Sequence, residues 1–128
     1  MLITESGDTV ETLELVKNIV TSLDKHKAED IKVIEVTDVT TIADYFVIAA
    51  GTSSTQVKSL IDYVDFELGE KGIRPARTEG YNSSTWILLD YGSVVVHVFQ
   101  EETRSFYDLE RLWKDGKPLN AADFLDAE

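Results

Sequence analysis

Few residues in this chain could do chemistry, and their spacing decides what they are worth. Gly51-Thr52-Ser53-Ser54 stands between an apolar run and a stretch of helical periodicity. Free amides at a helix N-terminus, together with hydroxyls, can hold a phosphate. The same composition also makes an ordinary turn and helix cap. A P-loop would end in Gly-Lys-Ser/Thr, and Gln56-Val57 supplies no lysine in register, Lys58 falling out of place. A nucleotidyltransferase follows such a turn with two carboxylates at i and i+2 of a strand, where both point to one side and hold magnesium. Here the expected strands offer only Glu79 and Asp90, far apart in sequence. The close pair, Asp108 and Glu110, falls on an expected helix, where i and i+2 diverge. That pattern argues against metal-dependent catalysis.

His26 and His97 lack metal-ligand spacing. His26 stands near an expected helix end, where a solvated imidazole complements the dipole. His97 shares a strand face with Val95 and Phe99, which favours a core imidazole bonded to a neighbour over a general base. No Gly-x-Ser-x-Gly elbow accompanies the serines, and with no cysteine there is no thiolate, disulfide or sulfur-ligated zinc. Trp86, Tyr91, Arg104, Tyr107 and Trp113 are instead the large or rigid side chains that anchor interfaces. Trp113 follows Leu109 and Leu112 at helical spacing, which favours the core. Trp86 opens a strand after a polar loop, and core and interface stay equally open for it.

These residues need a scaffold. From Thr9 to about Lys27, Leu13, Val16, Ile19, Val20 and Leu23 recur at helical spacing, with acids early and lysines late. Ile31 to Val36 alternates, placing Ile31 and Val33 on one face of a strand, and Tyr45 to Ala50 is an apolar run suited to a strand covered on both faces. Ser53-Ser54-Thr55-Gln56 fits a capping box for a helix with Val57, Leu60, Ile61, Val64 and Leu68 on one side, ending at Lys71-Gly72. A short strand over Ile73 to Thr78 is weakened by Pro75 and suits an edge. Trp86 to Asp90 and Val94 to Gln100 form a hairpin across Asp90-Tyr91-Gly92-Ser93. A last helix covers about Thr103 to Trp113, with Phe106, Leu109, Leu112 and Trp113 packing, and Gly116 and Pro118 end it. The strand–helix–strand crossover requires a parallel pair, so the expectation is an α/β (α+β) fold: a mixed sheet of about five strands flanked by helices. Residues 1–8 read as a polar lead-in, 9–117 as one domain and 118–128 as an acidic tail.

The 128 residues carry 24 Asp and Glu against 12 Lys and Arg, a net charge of −12. This excludes broad, sequence-independent nucleic-acid binding, which needs a basic footprint. A strongly basic protein partner is compatible with it. The opening Met1-Leu2-Ile3 runs directly into Thr4-Glu5-Ser6-Gly7-Asp8, so neither a secretory leader nor a membrane segment is expected, and the cytoplasm is the default location.

The ordered motifs Asp44-Tyr45-Phe46-Val47-Ile48, Gly51-Thr52-Ser53-Ser54, Glu79-Gly80, Trp86-Ile87-Leu88-Leu89-Asp90-Tyr91-Gly92 and Val96-His97-Val98-Phe99 lead to Arg104-Ser105-Phe106-Tyr107-Asp108-Leu109-Glu110-Arg111-Leu112-Trp113. Together, from about Leu13 to Trp113, the chain resembles the ribosomal silencing factor family, also called RsfS or Iojap. The resemblance implies a nucleotidyltransferase-like fold without the catalytic acids, and a non-enzymatic protein needing no cofactor. It further implies binding to ribosomal protein fourteen of the large subunit, a steric block to joining with the small subunit, lowered translation under nutrient limitation, and a homodimer when free. Carried over position by position, the partner-facing residues are Trp86, Asp90, Tyr91, Arg104 and Tyr107, although relatives often have an aliphatic residue where Tyr91 stands. Asp44, Glu79 and Asp108 are expected to order turns or a helix start.

Overall fold

Two apolar stretches, Tyr45–Gly51 (β2) and Val94–Gln100 (β5), lie side by side in parallel, from Tyr45 opposite Val94 to Gly51 opposite Gln100. Every residue of β5 from Val94 to Phe99 is buried, because each face of this pair is covered. A computed structural model describes residues 10–83, 85–104 and 114–125. Antiparallel neighbours extend the central pair: Glu29–Glu35 (β1) beside β2, Trp86–Asp90 (β4) beside β5, and Arg77–Glu79 (β3) beside β4. Lys117–Leu119 (β6) pairs antiparallel with β1, so the sheet runs β3-β4-β5-β2-β1-β6.

The sheet therefore has six strands, one more than the sequence pattern suggests. The additional strand lies in the segment expected to lead from the last helix into a tail. Three residues containing a proline carry no readable alternation, and Pro118 is tolerated because β6 is an edge. A 3-10 turn, Ala121–Phe124, follows, capped by Asn120 through a 3.1 Å bond from the Ala122 amide. Phe124 and Leu125 then pack against the core.

Helices Val10–Lys25 (α1) and Ser54–Gly69 (α2) cover one face. Val16, Ile19, Val20 and Leu23 of α1 meet Val57, Leu60, Ile61, Val64 and Leu68 of α2 over Val33, Val47, Ala49, Ile87, Leu89, Val96 and Val98. Each such side chain contributes roughly 1.5–3 kcal/mol by leaving water. Both helices close with paired backbone bonds around a left-handed residue, Lys27 after α1 and Gly72 after α2. The opposite face holds a second cluster of Ile34, Val36, Ala43, Ile48, Val95 and Phe99, with Phe46, Trp86 and Leu88 packed half-exposed against it. Ile31 and Val33 share the helix-side face as their alternation implies, while Ile34 is buried as well because the second cluster claims it. Of the expected last helix, Glu101–Arg104 (α3) is described. Residues 105–113, with Phe106, Tyr107, Leu109, Leu112 and Trp113, lie outside the described residues. Among the described residues, no helix is long and apolar enough to cross a membrane.

The turn that delivers Trp86 to β4 depends on Gly80. Its φ is +78°, and a Cβ there would collide with the Trp86 carbonyl oxygen. Ser83 binds the Gly80 carbonyl through both its amide (3.0 Å) and its hydroxyl (2.9 Å), holding the turn closed. Gly80→Ala should therefore lower stability by about 2 kcal/mol. Urea unfolding should show a lower midpoint at unchanged slope; an unchanged midpoint would refute this account of the turn.

Candidate partner-binding face

The Gly51–Ser54 turn spends its polar groups on itself. The Ser53 hydroxyl accepts from the Gln56 amide at 3.1 Å, and Gln56 Oε1 accepts from the Thr52 amide (2.6 Å) and hydroxyl (2.9 Å). This is a capping box whose return bond lands on Thr52, one residue before the cap. A Cβ on Gly51 would press on Val57 at 3.0 Å, which accounts for the glycine by close strand–helix packing. The cap reading of this turn is the one its geometry supports.

Glu79 and Asp90, distant in sequence, converge across the β3–β4 ladder, but on an arginine. Arg77 lies 3.1 Å from Glu79 Oε2 and, through Nε, 3.2 Å from Asp90 Oδ2. Asp90 Oδ1 also accepts from the Gly92 amide at 2.8 Å, fixing the hairpin turn. A guanidinium thus already occupies the space between the two carboxylates.

His26 departs from the solvated role expected of it. Its Nε2 lies 2.8 Å from Glu67 Oε2, and its ring stacks on Tyr63 at 3.6 Å with planes 1° apart. Lys25 reaches the same carboxylate at 3.4 Å. Partial burial pushes the Glu67 carboxyl up, but the hydrogen bond from His26 and the charges of His26 and Lys25 outweigh it, holding the carboxyl below its ordinary value. These residues clasp α1 to α2, a tertiary contact that local periodicity does not reveal.

The second face of the sheet concentrates the aromatic and charged groups. On β4 the two-residue period sends Trp86, Leu88 and Asp90 to this side and Ile87 and Leu89 to the helix side. Opposite them on β5 stand Phe99, His97 and Val95, and beyond, on β2, lie Phe46 and Ile48. The Trp86 indole stacks on Phe99, ring centres 5.1 Å apart, and its Nε1–H donates to His97 Nδ1 at 3.1 Å. Phe46 tilts against the imidazole at 4.8 Å. His97 is 8% exposed, and its Nε2 has no hydrogen-bond partner among the described residues. Trp86 is packed and bonded within the sheet while remaining only partly buried.

The other expected contact residues divide. Trp86 and Asp90 share this face. Tyr91 instead turns to the helix side and packs on that core; burial and the charge of Asp65 push its phenol well above the ordinary value, with Arg74 opposing. Arg104 ends α3, its side chain outside the described residues, as is all of Tyr107. Phe46, Leu88 and His97 were not singled out as contacts from sequence. The strand period was enough to place Leu88 between Trp86 and Asp90, whereas Phe46 joins them only through the parallel pairing of β2 with β5.

Desolvation holds the His97 imidazole at about 4, well below its ordinary 6.5. The unfolded chain binds a proton in that interval and the folded one does not, so stability must fall as pH drops through it. Between pH 6.5 and about pH 4.5 the wild-type protein should lose about 2 kcal/mol more than His97→Gln in urea unfolding. Parallel pH profiles for the two proteins would remove His97 as the cause.

Comparison with known proteins gives the constellation a lineage. The profile of the family described as "Ribosomal silencing factor during starvation" matches residues 9–128. A ribosomal silencing factor RsfS from Bacillus subtilis is 38% identical over 110 residues, 86% of this chain and 92% of the relative. The mouse protein named "Mitochondrial assembly of ribosomal large subunit protein 1" is 35% identical over 98 residues, covering 74% of this chain and 43% of that protein. A crystal structure of a Chromobacterium violaceum protein superposes with a TM-score of 0.78 at 35% identity, covering 88% of this chain and 97% of the other. With a mixed six-stranded sheet, motifs in order and a match over most of its length, the chain belongs to the ribosomal silencing factor family, RsfS, together with its Iojap relatives.

Proposed function

We propose that this protein binds the large ribosomal subunit through the sheet face bearing Trp86, Leu88 and Asp90, and there obstructs joining of the small subunit. Translation falls as a result when nutrients are scarce. The observation that carries the reading is the patch itself: partly buried Phe46, Trp86 and Leu88 beside the Arg77, Glu79 and Asp90 charges. An apolar, aromatic centre with a polar rim is the anatomy of a protein interface. About 800 Å² per partner, with two or three aromatic anchors, is enough to compete with subunit association.

The proposed contact is ribosomal protein fourteen of the large subunit, with Arg104, Tyr107 and the partly buried Tyr91 of the hairpin extending the surface. The protein acts by occupancy without turnover, in the cytoplasm, and is a homodimer when free. The self-capped Gly51–Ser54 turn and the arginine-bound acids support a binding role over nucleotidyl transfer. The name of the mouse relative favours a second reading, an adaptor in large-subunit assembly that uses the same surface. Depletion followed by profiling of subunit precursors separates them, since only an assembly adaptor leaves unfinished large subunits.

Gradient sedimentation of purified subunits tests the first reading. The protein should travel with large subunits and reduce joined particles when small subunits are added. Leu88→Lys should weaken that binding by roughly tenfold or more while keeping a cooperative melt. Absence of co-sedimentation with unimpaired joining would sink the proposal.

A further inference from the structure

Neutral imidazole carries one N–H, and an indole N–H can only donate. The 3.1 Å bond from Trp86 Nε1 to His97 Nδ1 therefore puts the imidazole proton on Nε2. That Nε2–H is buried and has no hydrogen-bond partner among the described residues. Its neighbours across the ladders are apolar, Leu88 on β4 and Ile48 on β2, with Phe46 and Phe99 around the ring. Buried donors are almost always paired in folded proteins. Here the orphan belongs to a side chain nine-tenths buried, packed against Phe46 and opposite Leu88, both of which are only partly buried.

We propose that His97 is a specificity-determining residue of this face: its Nε2–H donates to a neutral carbonyl oxygen, main-chain or amide, of the protein surface that docks there. The inference rests on the partner-binding reading of the face. A carbonyl fits where a carboxylate does not. A partner carboxylate would have to be stripped of water among apolar rings, beside a protein of net charge −12. A carbonyl loses far less on entering and gains the bond that Nε2–H lacks. Phe46 and Leu88 are only partly buried, and rotamer changes of such side chains on docking are common. A partner lacking a carbonyl at this place leaves the donor unpaired, which is how a single buried group discriminates between surfaces.

Two amide substitutions separate the ring nitrogens. His97→Asn keeps an acceptor near the Nδ1 position for Trp86 but loses the Nε2 donor; His97→Gln keeps a donor near Nε2 but loses the Trp86 bond. In sedimentation with purified large subunits, the Asn variant should bind about tenfold more weakly than wild type and the Gln variant within about threefold. Asn binding as well as wild type, or better than Gln, overturns the inference while leaving the partner reading in place. Wild type that fails to sediment with the subunits overturns both. Nitrogen NMR of the free wild-type imidazole near pH 7 stands independently of any variant's folding. It should show the proton on Nε2, and a proton on Nδ1 overturns the inference alone.

Discussion

The parallel pairing of β2 with β5 is the constraint from which the rest follows. Parallel neighbours cannot be joined by a tight turn, so the chain must leave β2, cross one face as α2 and return through β3 and β4. The crossover covers the helix-side face and makes β4 the antiparallel neighbour of β5. The opposite face of the same two strands needs its own cover, which explains the second cluster and the absence of any exposed residue from Val94 to Phe99. A histidine within such a strand has no route to water along the sheet. Its Nδ1 finds Trp86 because register places Trp86 opposite Phe99 and Leu88 opposite His97.

What the sequence discloses depends on how local the cause is. The Ser53 cap, the Gly72 stop and the hairpin at Gly92 are decided within a few residues, and each is where its residue types place it. The long apolar runs announce strands buried twice over because no water-facing position interrupts them. β6 was not legible, since Lys117-Pro118-Leu119 holds no pattern of its own and becomes a strand only beside β1. The same applies to His26, whose partners Glu67 and Tyr63 are distant in sequence and arrive through the packing of α2 on α1. The spread of acids was readable in advance. The arginine between Glu79 and Asp90 was not, because it depends on the β3–β4 register.

The surface residues show a different limit. A resemblance carries residues over by position, and position alone does not distinguish the two sides of a strand. Trp86 and Asp90 face one way, whereas Tyr91 faces the helices. Strand periodicity separates the two sides within β4, and it brings Leu88 into the same row as Trp86 and Asp90. Phe46 requires one further step, the parallel register, before it becomes their neighbour. A candidate contact surface is therefore read from chemical type together with sheet geometry.

Charge completes the argument about what such a surface can meet. Seven of the excess acids, Glu5, Asp8, Glu11, Glu14, Asp123, Asp126 and Glu128, stand near the two ends of the sequence, where no lysine or arginine accompanies them. The stretch from Leu15 to Ala122 holds 17 acids against 12 bases, only mildly acidic. Within the patch, Arg77 offsets one of the two carboxylates of Glu79 and Asp90, so its charged rim stays mildly acidic. Phosphate-rich RNA, whose binding depends on displaced counterions, gains little from such a rim. A folded protein gains apolar burial from Trp86, Leu88 and Phe46 without having to neutralise a strong field. The acids near the two ends of the sequence add a repulsion toward phosphate that salt screens within about 8 Å under physiological conditions.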